Sequence, residues 1–143
     1  MKHLLAALCL VFSLNACADT EQLEEFTLVP LQVGNKQILV QLADTPERRA
    51  QGLMYQQSAD PGMLLLYPRP TEIALWMANT AMALDVAYIG PDWQIVQLIQ
   101  LAPFDKTAVP SPGPVIAALE MPRGWFVSHG IKVGAKAQLL PTP

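Results

Sequence analysis

The sequence predicts a mostly β fold: a compact β-sandwich or partly closed barrel of seven to eight short strands with one short helix. Three observations predict it. Short apolar runs rich in β-branched residues recur along the chain, most of the 13 prolines and 8 glycines fall between those runs, and one stretch alone carries a full helix-start signal. A sandwich is the first expectation and a partly closed barrel the alternative.

Phe26–Val33 and Lys36–Ala43 are β-rich runs joined by Gly34-Asn35, a two-residue hairpin signal. Ile38, Val40 and Leu42 share one face of the second run. Pro30 cannot donate to a ladder, which suits an edge strand. Asp44-Thr45-Pro46-Glu47 is the helix start: Asp44 or Thr45 can cap, Pro46 fits the first turn and Glu47 complements its positive end. Gly52 then limits the helix to about two turns. Asp60-Pro61-Gly62 is a turn before Met63–Tyr67, an apolar run of the kind buried on both faces. Glu72–Met77 and Leu84–Ile89 read as further strands, and Gly90-Pro91-Asp92 turns the chain into Trp93–Leu101. Four prolines between Ala102 and Pro114 make that span a stiff loop, which is expected to frame the functional face. Val115–Met121 and a short run near Gln138–Leu140 complete the strands.

Ahead of this domain stand the three parts of an export signal. Lys2 supplies the charge, and Leu4–Leu14 is apolar but too short to span about 30 Å of hydrocarbon. Leu14-Asn15-Ala16-Cys17 then has the form of a bacterial lipobox. The expected organisation is a signal peptide over 1–16, a lipidated tether over 17–25 and a single β-rich domain over 26–143. Cys17 would carry the lipid, and the chain's other cysteine, Cys9, would leave with the signal. Ala18-Asp19 after the cysteine fits an outer-membrane lipoprotein facing the periplasm of a bacterial envelope. The membrane, through this lipid, is the first expected partner.

Composition excludes several functions. The formal charge is −3 and the longest basic tract is Arg48-Arg49, so no nucleic-acid footprint exists. Without the signal only His129 remains among histidines, so no two-histidine metal site can form and no metal is expected. Ser111 or Ser128 could join His129 and Asp105 on paper, but neither serine sits in a nucleophile elbow. The methionines fall inside apolar runs, as core filler does. No glycine-rich phosphate loop is present, and nothing implies a cofactor.

The unusual stretch is Ala74–Asp85. Asn79, Thr80 and Asp85 lie in apolar surroundings, where an unpaired polar group costs about 1–3 kcal/mol. Either they satisfy orphaned backbone groups, or they line a pocket with Trp76 as its apolar wall. Arg49 is the natural charge partner for Asp85 or Glu120. Glu120 interrupts an apolar strand, so it is either paired or raised in pKa.

Taken in order, these segments resemble the bacterial and archaeal family known as domain of unknown function 192. The resemblance rests on Ala43-Asp44-Thr45-Pro46-Glu47 through Arg49 to Gly52-Leu53-Met54, on Gly62-Met63-Leu64, on Trp76-Met77 with Asn79-Thr80 and Leu84-Asp85, and on Leu119-Glu120 with Gly124, Gly130 and Gly134. It covers roughly Thr27 to Leu140 and implies a compact β-rich fold and frequent export, but no activity. The chain departs from the family pattern at Ala78, Ala83, Gln56-Gln57 and Ala135, which removes two cations and one acid from its polar positions.

The first functional expectation is a non-enzymatic envelope domain that binds a small molecule or a protein partner through a face near Arg49, Trp76, Asn79, Thr80, Asp85 and Glu120. The second is an enzyme using Asp85 or Glu120 as general acid or base on an envelope substrate. That reading needs two free carboxylates in one cleft. The third is a structural interaction module, which would show an exposed apolar patch in place of a pocket.

Overall fold

The computed structural model describes residues 23–141. The expected signal over 1–16, Cys17 and all but the last three residues of the expected tether lie outside the described residues. Nine strands and two short helices follow: β1 Thr27–Val33, β2 Lys36–Ala43, α1 Pro46–Gln51, β3 Met63–Thr71, β4 Ala74–Leu75, β5 Leu84–Ile89, β6 Ile95–Leu101, β7 Val109–Pro110, β8 Val115–Pro122, α2 Trp125–Ser128 and β9 Ala137–Leu139.

Seven strands form one sheet in the order β6-β5-β8-β3-β2-β1-β9, and β4 pairs with β7 in a second, two-stranded sheet. Every pairing in the large sheet is antiparallel except β2 with β3. A parallel neighbour needs a crossover, and α1 with its following loop supplies it. The edges of the sheet curl toward each other. Gln94 bridges Lys136, the Ile95 amide donates to the Ala135 carbonyl (2.9 Å), and the Ala137 amide donates to the Trp93 carbonyl (2.8 Å). Of the two expected architectures the chain forms the partly closed barrel. Residue alternation reports that a strand has a buried face, but it is blind to whether that face meets a second sheet or its own curled one.

The centre of the sheet is buried on both faces. Leu31, Val33, Val40, Leu64, Ala87, Ile89, Leu119 and Met121 pack on one face with Phe126 of α2. Ala43, Met63, Leu65, Val86, Tyr88 and Ala118 pack on the other, beneath Leu53 and the β4 segment. The β5 sequence is buried at every position, as a two-sided strand should be.

Local signals mostly act as expected. The β1–β2 hairpin closes Val33 on Lys36 around Gly34, whose φ of 55° suits a primed turn. Thr45 Oγ1 accepts from the Arg48 amide, Pro46 opens α1, and Gly52 ends it at φ 51°. Five elements differ from expectation. β3 runs four residues past Tyr67, to Thr71. Glu72–Met77 shrinks to the two-residue β4, because the chain turns at Asn79 with φ 53°. The proline-rich loop contributes the short β7, pairing Val109 with Leu75. β6 starts at Ile95 rather than Trp93, which sits in the turn with φ 61°. Finally, α2 was not expected at all; its four residues carry no side-chain cap. Pro30 is on an edge in part only: β9 covers Leu31–Val33 and stops there, leaving Pro30 at the boundary of the pairing.

Candidate functional site

Alternation along β8 divides the candidate residues between two sides of the sheet. Asp85 pairs with Met121 across the ladder, while Glu120 pairs with Val86 and with Met63. Side chains on successive residues point to opposite faces, so Asp85 lies on the Met121 face and Glu120 on the Val86 face. The two carboxylates therefore cannot share a cleft.

Asp85 is fully engaged. It is 4% exposed, accepts from the Gly124 amide at 2.8 Å, and lies 3.4 Å from Arg123 Nε. Gln100 Nε2 adds a weak contact at 3.4 Å. The expectation that Arg49 pairs with Asp85 or Glu120 fails. Arg123 holds Asp85, because the residues after β8 turn back along the end of β5 and β6 and bring it there. Arg49 faces the other side of the sheet, where its Nη1 donates to the carbonyls of Asp44 (2.7 Å) and Leu66 (2.8 Å). Its guanidinium carbon sits 4.7 Å above the Tyr67 ring, a cation–π contact.

Glu120 is the opposite case. It is 6% exposed, and its Oε2 is buried without a hydrogen-bond partner. No Lys, Arg or His nitrogen among the described residues approaches its carboxylate within salt-bridge distance. Burial pushes its pKa from 4.5 up to about 7. Burial likewise raises Tyr67, with Arg49 opposing, and raises Tyr88 to about 12, with Tyr67 and Glu120 adding to the effect. Tyr88 is occupied in any case, since its hydroxyl donates to the Val109 carbonyl at 2.7 Å.

The Glu120 carboxyl opens on a pocket of about 230 Å³. Arg49, Gln51 and Gly52 of α1 and its cap form one wall, Tyr67 and Leu65 of β3 another, and Trp76, Met77 and Thr80 the third. Gly52 lies beside this carboxyl: a methyl group on it would stand 3.8 Å from Glu120 Oε2, in ordinary van der Waals contact. Trp76, 54% exposed, is the rim. Thr80 is buried at the wall, with its hydroxyl donating to the Ala78 carbonyl. Asn79 points away into a neighbouring hollow, where its Nδ2 donates to the Tyr55 hydroxyl at 2.8 Å. Of the six expected face residues the structure thus gathers Arg49, Trp76, Thr80 and Glu120, sets Asn79 beside them and removes Asp85.

The proline-rich loop braces this face without lining the pocket. The Met77 amide donates to the Asp105 carbonyl (2.7 Å), and the Phe104 amide donates to the Thr80 carbonyl (3.0 Å). Asp105 also accepts from the Thr107 amide at 2.8 Å, and so belongs to its own turn. His129 is half-buried: it caps α2 and stacks on Trp125 with ring centres 4.4 Å apart. Among the described residues no three His, Cys, Asp or Glu side chains are placed to hold a metal. The sequence also places Tyr67 on the Met63–Leu65 face by simple alternation, and it sets Arg123, the partner that Asp85 takes, directly after the strand that carries Glu120.

Comparison with known proteins gives a family but no activity. A solved protein of unknown function from Novosphingobium aromaticivorans DSM 12444 is 31% identical, covers 78% of this chain and 84% of its own, and superposes with a TM-score of 0.71. A solved protein from Sinorhizobium meliloti 1021, described as a candidate transcription regulator, is 25% identical, covers 82% and 98%, and gives a TM-score of 0.77. No curated protein matches the chain. The family model described as "Uncharacterized ACR" matches residues 29–139, and the chain belongs to that family, domain of unknown function 192.

Proposed function

We propose that this chain is a lipid-anchored envelope domain that binds a small molecule in the pocket floored by Glu120. One observation carries the reading: a buried carboxyl with no salt-bridge partner, and with one oxygen that makes no hydrogen bond, lines a hollow of about 230 Å³. A buried polar group without a partner costs about 1–3 kcal/mol, and a ligand that satisfies it would offset that cost. Trp76 at the rim and Leu65 and Met77 within supply the apolar surface that small-molecule sites use.

An enzymatic reading narrows to Glu120 alone. A carboxyl near pH 7 is a fit general acid, but Asp85 is locked on the far face, so the two-carboxylate arrangement is absent. The regulator description of the Sinorhizobium meliloti relative has no basic surface to support it in this chain, whose net charge is −3.

The test is ligand-observed NMR with a library of small polar fragments, on the wild type and on Glu120→Gln. Hits that quench Trp76 fluorescence and weaken in Glu120→Gln are expected. Hits indifferent to Glu120, or none at all, would remove the pocket from consideration.

A further inference from the structure

The pocket holds one acid without a cation and one cation without an acid. Among the described residues, Arg48 pairs with Glu24 and Asp44, and Arg123 pairs with Asp85. Arg49 and Glu120 line the same hollow, yet neither has a charged partner there. Arg49 spends Nη1 on two backbone carbonyls, which leaves the Nε and Nη2 hydrogens of its fork for a ligand. Glu120 lines the hollow with a carboxyl that has no positive neighbour.

We infer, resting on the pocket-binding reading above, that the ligand is a small zwitterion of the free amino acid or short peptide class, its ammonium against Glu120 and its carboxylate against Arg49. A ligand with only a positive group would meet Arg49 as a like charge. One with only a negative group would pair with Arg49 and leave Glu120 without a cation. A molecule carrying both ends satisfies the two groups at once, and its side chain would lie on Leu65, Met77 and the face of Trp76. A volume of about 230 Å³ suits a molecule of that size.

The arrangement links binding to pH. The titratable and charged groups facing Glu120 are Arg49 from α1, Tyr67 from β3 and Tyr88 from β5; the β4 segment adds none. Both tyrosines are raised above their ordinary values and stay neutral near pH 7. Glu120, pushed up to about 7, is then the group that changes charge between pH 6 and 8. An ammonium prefers the ionised form, so affinity should rise about tenfold across that interval.

Titration calorimetry on the whole chain tests this with free L- and D-amino acids and alanine dipeptides. The tightest zwitterion is then compared with its own decarboxylated amine and its deaminated acid. The expected result is binding at least about tenfold tighter than either half. Glu120→Gln should abolish the advantage over the deaminated acid and the pH dependence, and Arg49→Gln should abolish the advantage over the amine. Glu120→Gln keeps the side-chain shape and removes a buried ionisable group, and thermal melts check the folding of both variants. Halves that bind as well as the whole, or polar fragments that bind where no zwitterion does, would overturn the zwitterion while leaving the pocket its ligand. A pocket that takes neither fragments nor zwitterions would overturn both readings.

Discussion

Asp85 and Glu120 sit in neighbouring strands of one sheet, and a single step of the pleat gives them opposite fates. Asp85 closes the turn after β8 by taking the Gly124 amide and the Arg123 guanidinium. Asp85→Ala leaves that half-buried amide and the Arg123 guanidinium without their acceptor and should cost about 2–3 kcal/mol, more than any surface exchange, while leaving binding in the Glu120 pocket intact. A thermal melt unchanged from wild type would move Asp85 from scaffold to function. Glu120 behaves differently because burial raises its pKa from 4.5 to about 7. The folded state then holds a proton that the unfolded state releases between those values. The group's contribution to stability is full below about pH 4.5 and is lost as pH rises through 7, about 3 kcal/mol in all. Glu120→Gln should therefore flatten the pH dependence of the melting temperature and raise it at pH 8 by about 5–10 °C. Parallel curves for the two proteins would mean that burial does not govern this carboxyl. The sequence showed that an acid in the Val115–Met121 run must be paired or raised in pKa. It could not choose between them, since that depends on Arg49, 71 positions earlier, turning to backbone carbonyls instead.

At the scale of elements, the site depends on two chain reversals. Gly52 ends α1 beside the Glu120 carboxyl, and Gly62 delivers the chain into β3. Gly62 has φ 100°, and a methyl group on it would meet the Met121 sulfur and stand 2.9 Å from the Glu120 carbonyl. Gly62→Ala combines a left-handed backbone with a clash against β8, and β3 with β8 is the central pairing of the sheet. It should lower stability by more than about 2 kcal/mol and displace Glu120, so that the raised carboxyl pKa, read by carbon-13 NMR, falls toward ordinary values. A variant that melts with the wild type would show that the β3–β8 contact has room to give. Elements with their own local chemistry were legible: the Gly34-Asn35 hairpin, the Thr45–Gly52 helix and the buried β5. The elements that were not legible have no local signal. β4 and β7 exist because Leu75 and Val109 meet across a gap of more than thirty residues, and α2 is four residues long without a side-chain cap.

For the whole molecule, strand number and composition bounded the answer to a sandwich or a partly closed barrel, and the Gln94–Lys136 bridge between distant edges selects the barrel. That closure holds the face opposite Glu120 shut with α2, and leaves the Glu120 face to be covered by α1 and the β4 segment. The first described residues run to this same face: the Glu24 amide donates to Gln51 of α1 at 2.7 Å, and Glu24 lies 3.8 Å from Arg48. If Cys17 bears a lipid, residues 17–22 can span at most about 20 Å. The pocket would then be presented close to the membrane surface, where a shed envelope fragment or a translocated solute is first met. On that reading three acyl chains, at about 0.8 kcal/mol per buried CH₂, would anchor the protein for good. Cys17→Ser should therefore move the protein from the membrane to the periplasmic fraction, with the Glu120-dependent pH profile of its melting temperature unchanged. Retention of the variant in the membrane would show that something other than a lipid on Cys17 holds this domain there.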